Sequence, residues 1–189
     1  MVASDSTYDW LEDVSGEKSM TWVKDHNART LKDKNIEESE SYQRTLAILD
    51  SKEKIPGISK IGLFWYNFWQ DDNHVRGIWR KIPCKASKDS AVTFNEYLKD
   101  SPAWETVLDL DALGKEDDVS WVWKGSSVLY PDEDRALLHL SPGGSDATVV
   151  REFDLNSKTF VKPEDGGYYV PEAKTSIAWR TRDSVFIGS

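Results

Sequence analysis

The residues Gly143-Gly144-Ser145-Asp146-Ala147 come nearest to a catalytic motif in this chain. A serine in the pattern G-x-S-x-G acts as a nucleophile when it lies on a sharp turn that joins a strand directly to a helix. Here alanine replaces the last glycine, and the flanking residues predict strands on both sides. A tight turn in which Ser145 and Asp146 hydrogen-bond the local backbone explains these residue types. We therefore expect a structural turn and predict no catalytic residue.

The remaining reactive side chains form no recognisable site either. Asp71, Asp72 and His74 suit a metal ion by residue type, but their position predicts an exposed hairpin turn. Cys84 is the only cysteine, so no intrachain disulfide forms, and no catalytic signature surrounds it. The sequence therefore predicts no metal site and no cofactor, and it contains no glycine-rich phosphate loop. The other side chains of this kind, isolated histidines and acidic pairs in predicted turns, are His26, His139, Asp117-Asp118 and Glu133-Asp134.

The nine tryptophans are the other group with binding potential, because indole rings can form a platform on which ligands stack. The same rings fill the core of a β-rich protein and the interfaces between its sheets. We favour core packing over the stacking platform.

Composition limits the class of protein. The chain has 189 residues, of which 39% are hydrophobic and 12% aromatic, which is typical of a globular protein with a substantial core. Its net charge of −9 disfavours sequence-independent binding to nucleic acid. The N-terminus lacks the features of a signal peptide, and no apolar run is long enough for a transmembrane helix. We expect a soluble, cytoplasmic protein with neither nucleic-acid nor membrane partners.

The segment 62–82 is the point where the character of the chain changes. Two aromatic-rich runs flank a polar turn from Gln70 to His74, a pattern that predicts an antiparallel hairpin. The residues before this hairpin favour helices, and those after it favour strands.

Residues 15–54 are predicted to be mostly helical. Ser15 is the expected N-cap of a first helix, and a second helix is expected to begin near Asn35. Residues 56–57, Pro-Gly, then end the helical region. Its apolar faces need another surface to cover them.

Residues 60–189 are predicted to be mostly antiparallel strands with frequent turns. The clearest hairpin joins 149–155 to 159–161, and another pair joins 176–180 to 184–187. The pattern also predicts strands over 104–110, 119–124, 128–130 and 136–141, an acidic segment after 110, a turn at 125–127, and an ambiguous segment at 92–100.

The fold class that follows is mainly β with an N-terminal α-helical arm. Trp65, Trp123 and Trp179 recur at spacings of 58 and 56 residues, which is a weak sign of four-stranded propeller blades. The predicted domains are a helical arm over 1–58 and an incomplete β-propeller over 59–189.

Several stretches resemble prolyl oligopeptidase-type serine peptidases. The opening Tyr-Asp-Trp-Leu-Glu-Asp and the following Trp-Val-Lys-Asp-His-Asn are similar to the patterns Y-x-W-L-E-D and W-V-x-x-x-N at the start of that family. Further similar stretches follow in the same order over nearly the whole chain. The stretches are residues 8–13, 22–27, 67–71, 76–80, 104–113, 140–147 and 150–155.

The resemblance implies a seven-bladed propeller that caps a C-terminal α/β-hydrolase domain, with this chain supplying the arm and the first two to three blades. It places the Ser, Asp and His triad in that C-terminal domain, so no catalytic residue is carried over to this chain. The implied function is to gate the access of peptide substrates to the hydrolase active site. The alternative is a free-standing β-rich binding module without catalytic activity.

Without a hydrolase domain to cover it, the arm is expected to expose apolar side chains. We therefore expect the isolated chain to self-associate, or to fold against its own arm. The side chains concerned are Trp10, Leu11, Trp22, Tyr42 and Leu46.

Overall fold

The computed structural model describes residues 7–51, 57–84, 97, 99 and 101–188. The chain divides into two compact units, Met1–Lys54 and Ile55–Ser189. The first is helical and the second is built from antiparallel strands, as expected from the change of pattern around the 62–82 segment. The domain limits 1–58 and 59–189 stay a prediction. The predicted ambiguous segment 92–100 lies outside the described residues, apart from Tyr97 and Lys99.

Two helices make up most of the first unit. After a 3-10 turn at Asp9–Glu12, α1 spans Glu17–Lys34, and after a second 3-10 turn at Ile36–Glu38, α2 spans Glu40–Leu49. The N-cap of α1 is Gly16, without a side-chain cap, so the prediction of Ser15 was wrong.

The predicted start of the second helix near Asn35 was also wrong. Asn35 ends α1 in the left-handed conformation, with φ at +46°, which breaks the helical hydrogen-bond pattern there. Ser39 is the N-cap of α2 instead, and its Oγ accepts a hydrogen bond from the Tyr42 N–H at 3.2 Å. The polar Asn35 could end one helix as readily as begin another, and the sequence did not decide between the two.

The described residues of the second unit form three antiparallel sheets, and every strand pairing described is antiparallel. The first sheet has the order β1-β2-β3-β4, the second has β5-β6-β7-β8 with β9 also paired to β7, and the third has β10-β11. The strands are β1 Ser59–Ile61, β2 Phe64–Trp69, β3 Ile78–Pro83, β4 Glu105–Asp109, β5 Trp121–Val128, β6 Arg135–Pro142, β7 Thr148–Asp154, β8 Thr159–Phe160, β9 Tyr169–Ala173, β10 Ser176–Thr181 and β11 Ser184–Gly188.

The predicted 62–82 hairpin is present as β2 and β3, which pair from Phe64 with Pro83 to Trp69 with Ile78. The predicted hairpins of β7 with β8 and of β10 with β11 are present as well. Strands β1 and β9 were not predicted, because each is short and the sequence around it carries no clear alternation.

One local prediction in the second unit was wrong, and one segment had been given no secondary structure. The acidic segment after Leu110, for which neither helix nor strand was predicted, is a helix, α3, spanning Leu110–Asp117, with Asp109 as its N-cap. The predicted turn at 125–127 lies inside β5, where Gly125 adopts φ of +128° at a β-bulge between Trp123 and Gly125. Pairing of β5 with β6 overrides the local turn signal there.

The second sheet is buried on both faces, and this explains the residues of β6. Ala136, Leu138 and Leu140 face a large core shared with the first sheet and α3, whereas Leu137 faces a smaller core shared with the third sheet. A strand that is covered on both faces carries apolar residues at successive positions. This is why β6 lacks the alternation of apolar and polar residues that a half-exposed strand shows.

The three repeated tryptophans fall one in each sheet, on β2, β5 and β10. Their surroundings differ, however. Trp123 packs against the large core and Trp179 against the small one, but the buried tryptophan of the first sheet is Trp79, at 3% exposure, and Trp65 belongs to neither core. The spacing therefore marks the succession of sheets without marking equivalent packing positions.

One turn makes polar contacts with both neighbouring sheets. In the 131–134 turn between β5 and β6, Glu133 Oε2 accepts a hydrogen bond from the Gly62 N–H of the first sheet at 2.9 Å. Arg182, in the turn of the third sheet, pairs with Asp132 and Asp134 at 3.0 and 2.8 Å. The 131–134 turn thus fixes the three sheets at one end, beyond the apolar contacts between their faces.

Gly77 provides a test of the packing between the first two sheets. Its φ is +100°, and a Cβ at this position would lie 2.3 Å from Cζ of Phe68, whose ring stacks on Trp123. We expect Gly77→Ala to lower the free energy of unfolding by about 3–5 kcal/mol, the sum of backbone strain and overpacking. Chemical denaturation measures this change.

Gly62→Ala is the matched control. Gly62 also has positive φ, at +57°, but a Cβ there meets nothing within 4 Å. Backbone strain alone predicts a loss of about 1 kcal/mol. Equal losses for the two variants would show that Phe68 is not held against Trp123 as described.

Candidate functional site

The predicted Gly-Gly-Ser turn connects β6 to β7. Gly143 and Gly144 both have positive φ, and Ser145 Oγ lies within hydrogen-bond distance of Ser141 Oγ, the Ala147 carbonyl and Glu172. No histidine is among these partners, and a strand follows the turn where a nucleophile elbow requires a helix. The geometry is that of a turn held by local hydrogen bonds.

Asp71 and His74 lie in the turn between β2 and β3, called here the hairpin tip, and they hydrogen-bond each other and neighbouring residues there. Asp71 Oδ1 accepts hydrogen bonds from the backbone N–H groups of Asn73 and His74 and lies 2.9 Å from His74 Nδ1, and Oδ2 accepts from Trp69 Nε1. Within the described residues, no three His, Cys, Asp or Glu side chains are grouped as metal ligands would be.

The other side chains considered from sequence are dispersed. His26 contacts Trp22 in α1, His139 lies near Ser127 in the second sheet, and Cys84 follows β3 as a free thiol. Burial lowers the pKa of His139, so this imidazole is neutral at neutral pH. The structure does not bring these three residues together.

The tryptophans mostly pack against other parts of the protein. Trp79 and Trp121 are buried, and Trp123 stacks on Phe68 with 5.1 Å between ring centroids. The indole rings of Trp69 and Trp104 lie at 4.7 and 4.5 Å from the guanidinium of Arg80. Neither arrangement leaves a flat indole platform open for a ligand.

A concave site lies on the second sheet, and the sequence analysis did not predict it. This cavity of about 530 Å³, called here the Arg151 groove, lies beside the end of α3. Its volume falls within the range of small-ligand sites, and its lining combines aromatic rings with a few charged groups. The lining residues that matter for its chemistry are Trp121, Arg151, Phe160, Lys162, Tyr168 and Tyr169.

Arg151 is the fixed charge of the groove. Its Nη1 donates to Asp117 Oδ2 at 2.8 Å, and its guanidinium lies 3.7 Å from the ring centroid of Phe160. The same Asp117 oxygen accepts from Trp121 Nε1 at 2.9 Å. A guanidinium has five N–H donors, so this anchoring leaves others available at the groove.

The opposite wall is set by the segment between β8 and β9. Tyr169 pairs with Arg151 across β9 and β7, which places an exposed phenol ring beside the cation. The N–H of Tyr168 donates to Glu152 Oε2 at 3.0 Å, and Glu152 is itself buried and paired with Arg135. Burial and the charge of Glu152 raise the pKa of Tyr168, which keeps its hydroxyl protonated.

Gly167 allows this segment to fold back on itself. A Cβ at Gly167 would lie 2.2 Å from the carbonyl oxygen of Val161, so any other residue would push the two backbones apart. The sequence signal for this close approach was the pair Gly166-Gly167 directly before two tyrosines, which the sequence analysis passed over.

The fold defines the class of protein first. Antiparallel sheets stacked face to face in succession form part of a β-propeller. Residues 2–187 match the family model described as prolyl oligopeptidase, N-terminal beta-propeller domain. The chain therefore belongs to the prolyl oligopeptidase family, which confirms both the resemblance and the fold class expected from sequence.

Curated relatives support the same family. The chain is 37% identical over 182 residues to an uncharacterized peptidase of Sinorhizobium fredii, covering 94% of this chain and 23% of that protein. It is 30% identical over 158 residues to an uncharacterized peptidase of Rickettsia prowazekii, covering 81% of this chain and 20% of that protein. The chain thus spans less than a quarter of the length of these relatives.

Solved structures show the same fold. A post-proline cleaving enzyme from Rickettsia typhi matches 93% of this chain with a TM-score of 0.73 and 28% identity, over 25% of its own length. A structure from a study of two prolyl endopeptidases matches 93% of this chain with a TM-score of 0.58 and 15% identity, over 23% of its length, and shows the fold alone. None of the described helices is long and apolar enough to cross a membrane.

The hairpin tip predicts a specific response to pH. Burial of Asp71 favours its neutral form, but the hydrogen bonds from His74, Trp69 and Asn73 outweigh burial and lower its pKa to about 2. An unfolded aspartate titrates near ~3.9, so this carboxylate stabilises the fold above about pH 4 and loses that effect as the pH falls through 2.

We therefore expect the difference in unfolding free energy between the natural chain and Asp71→Asn to be constant above pH 4 and to shrink towards pH 2. Urea denaturation at a series of pH values measures it, and carbon-detected NMR of the Asp71 carboxyl group reports the titration directly. A carboxyl carbon that titrates near pH 4 would contradict the described hydrogen bonds.

Proposed function

We propose that this chain is the N-terminal propeller part of a longer peptidase, in which it gates the access of peptides to a C-terminal α/β-hydrolase domain. The observation that carries the proposal is the match of residues 2–187 to the propeller domain of the prolyl oligopeptidase family. The parent cleaves peptide bonds after proline, by analogy with the Rickettsia typhi enzyme to which the chain is 28% identical.

In this proposal the chain performs no bond cleavage itself. Peptide hydrolysis by a serine enzyme requires a nucleophile, a base and an oxyanion hole within reach of one another. The hydrogen-bond partners described for Ser145 Oγ are Ser141, Ala147 and Glu172, none of which is a histidine, and the triad of the family is expected in the C-terminal domain. The role of this part is to exclude folded proteins and admit short peptides.

The stacked sheets give this role a physical basis. Apolar contacts join the second sheet to both neighbours, and the 131–134 turn ties the three together at one end. A rigid stack of this kind can cover an active site and restrict the size of what reaches it. The missing partners are the hydrolase domain and the remaining blades, and the ligands are peptide substrates.

A free-standing binding module remains the second candidate, and the Arg151 groove is the observation in its favour. The two candidates differ in what the complete reading frame encodes. A G-x-S-x-G stretch several hundred residues downstream would support the peptidase, and its absence would support the binding module.

The gating role is tested in the full-length peptidase. We expect Gly77→Ala, which loosens the contact between the first two sheets, to leave kcat/KM for a short proline-containing peptide within about twofold. Turnover of the same site within a chain of ~30 residues is expected to rise several-fold, because a looser cover admits longer substrates. A chromogenic leaving group follows the short peptide, and mass spectrometry follows the long one.

Two controls accompany this measurement. Gly143→Ala strains the backbone in the turn between β6 and β7, where a Cβ meets nothing within 4 Å, so its ratio of long to short turnover should match that of the natural enzyme. The isolated 189-residue chain should not hydrolyse either peptide, and Ser145→Ala should not change this. An unchanged ratio in Gly77→Ala would refute the gating role, and turnover by the isolated chain would refute the assignment of catalysis to another domain.

Self-association of the isolated chain is a further part of the proposal. Within residues 7–51, Ser19 alone is buried, and Leu46 and Ile48 are 39% and 64% exposed. At roughly 25 cal/mol per Å², covering ~500 Å² of apolar surface releases on the order of 12 kcal/mol before the cost of association. We expect light scattering at micromolar concentration to detect oligomers.

Leu46→Glu should weaken this association, and Thr45→Glu is its matched control. Both residues are exposed in α2 and both variants add one negative charge, but only the first removes apolar surface. A monodisperse monomer of the natural chain that binds no hydrophobic dye would contradict the proposal.

A further inference from the structure

The Arg151 groove combines an anchored cation with one exposed aromatic ring, that of Tyr169, and the proposed gating role does not require such a site. We infer that the groove binds the C-terminal end of a peptide that terminates in proline, with the carboxylate on Arg151 and Lys162 and the pyrrolidine ring against Tyr169. The inference rests on the proposed function, because the identity of the ligand follows from cleavage after proline.

The groove carries more positive than negative charge. The whole chain carries a net charge of −9, yet two cations and one carboxylate, that of Asp117, are among the groove-lining residues. Asp117 is already engaged by Arg151 and Trp121. Lys162 faces Glu164 across 3.9 Å, and both side chains are about 70% exposed, so this ion pair is weak and easily exchanged for another anion.

The guanidinium of Arg151 has a fixed position. Its contacts with Asp117 and Phe160 hold the planar guanidinium in place before any ligand arrives. A pre-positioned guanidinium loses little side-chain entropy on binding, and its paired N–H groups match the two oxygens of a carboxylate. A free peptide C-terminus supplies that carboxylate.

The ring of Tyr169 offers an aromatic surface in the groove. Tyr169 is 53% exposed and stands next to Arg151 in the register of β7 and β9, with Tyr168 and Pro163 also lining the groove. Proline rings in an extended peptide dock against aromatic side chains with little further loss of conformational entropy. The position of the phenol ring beside the cation suits a proline whose own carboxylate is the charged group.

Cleavage after proline generates this ligand. Hydrolysis adds water across the peptide bond that follows proline and releases one peptide ending in a prolyl carboxylate and another with a new amino group. The groove would therefore hold the product that carries the proline, or a substrate that already ends in one, on the propeller. Binding of this product would make the activity of the enzyme depend on the concentration of cleaved peptide.

The test uses the Leu46→Glu variant of the isolated chain, whose self-association is expected to be weakened at a position outside the groove, and three peptides: acetyl-Ala-Ala-Pro with a free carboxylate, the same peptide as its amide, and acetyl-Ala-Ala-Gly with a free carboxylate. Binding is measured by NMR through the indole N–H signal of Trp121, which lies at the groove. We expect the proline acid to bind, and the amide and the glycine peptide each to bind about tenfold more weakly.

Exposed residues supply variants that fold. Lys162→Gln and Tyr169→Ala should each weaken the proline acid several-fold, whereas Lys60→Gln and Tyr130→Ala, which change the same residue types at exposed positions outside the groove, should not. Equal binding of acid and amide, equal binding of the proline and glycine peptides, or equal effects of groove and control variants would each overturn the inference.

The result is separable from that of the gating experiment, since this binding needs neither catalysis nor a hydrolase domain. If gating is lost but selective binding is retained, the gating role is refuted and the peptide site in the groove is supported. Retained gating with no selective binding would refute the site alone.

Discussion

The structure of the second unit depends on the burial of its central sheet on both faces. Leu137, Leu138, Leu140 and Phe153 are fully covered, and they face two different cores, one shared with the first sheet and α3 and one shared with the third sheet. Burial of apolar surface on this scale dominates the free energy of folding, and here it needs a neighbouring sheet on each face of the second sheet. The order of sheets along the chain is therefore also the order of packing, which is the arrangement that a propeller continues around a ring.

Polar contacts add direction to this packing. Apolar faces can slide, but Glu133 holds the Gly62 N–H of the first sheet while Asp132 and Asp134 hold Arg182 of the third. These contacts come from one turn at one end of the stack, and they fix the sheets more firmly there than apolar contacts alone would. The exposed ion pairs of Arg182 contribute little individually, and their value lies in geometry. A stack that is fixed in this manner keeps a defined shape, which the proposed role as a cover over an active site would need more than great stability.

The helical unit has a different physical character. Ser39 caps α2, whereas α1 has no side-chain cap, and the aromatic side chains of this unit pack against one another: Trp22 contacts Tyr8, Trp10 and His26. Most of its other large apolar side chains are exposed, and helices of this length derive most of their stability from tertiary packing. The helical unit therefore has little core of its own, in contrast to the second unit, which contains two apolar cores. The Arg151 groove belongs to the second unit and needs nothing outside it, which makes it a property of the propeller itself.

The sequence by itself determined the switch from helices to antiparallel strands, the 62–82 hairpin, and the hairpins after Val149 and Ser176, because the periods of apolar residues and the turn residues are local signals. Its family motifs were specific enough to identify the prolyl oligopeptidase propeller. Tertiary structure determined the conformation where local signals were ambiguous. Asn35 ends a helix, Gly125 lies at a bulge within β5, and Leu110–Asp117 is a helix that packs against the large core shared with the first sheet. Tertiary structure also decided the groove: Asp117 at the end of α3 meets Arg151 only in the folded chain, and Tyr169 comes next to Arg151 through the register of β7 with β9 and the return of the chain at Gly167. Pairing of distant segments is set by the packing of faces, and a single sequence carries no local record of it.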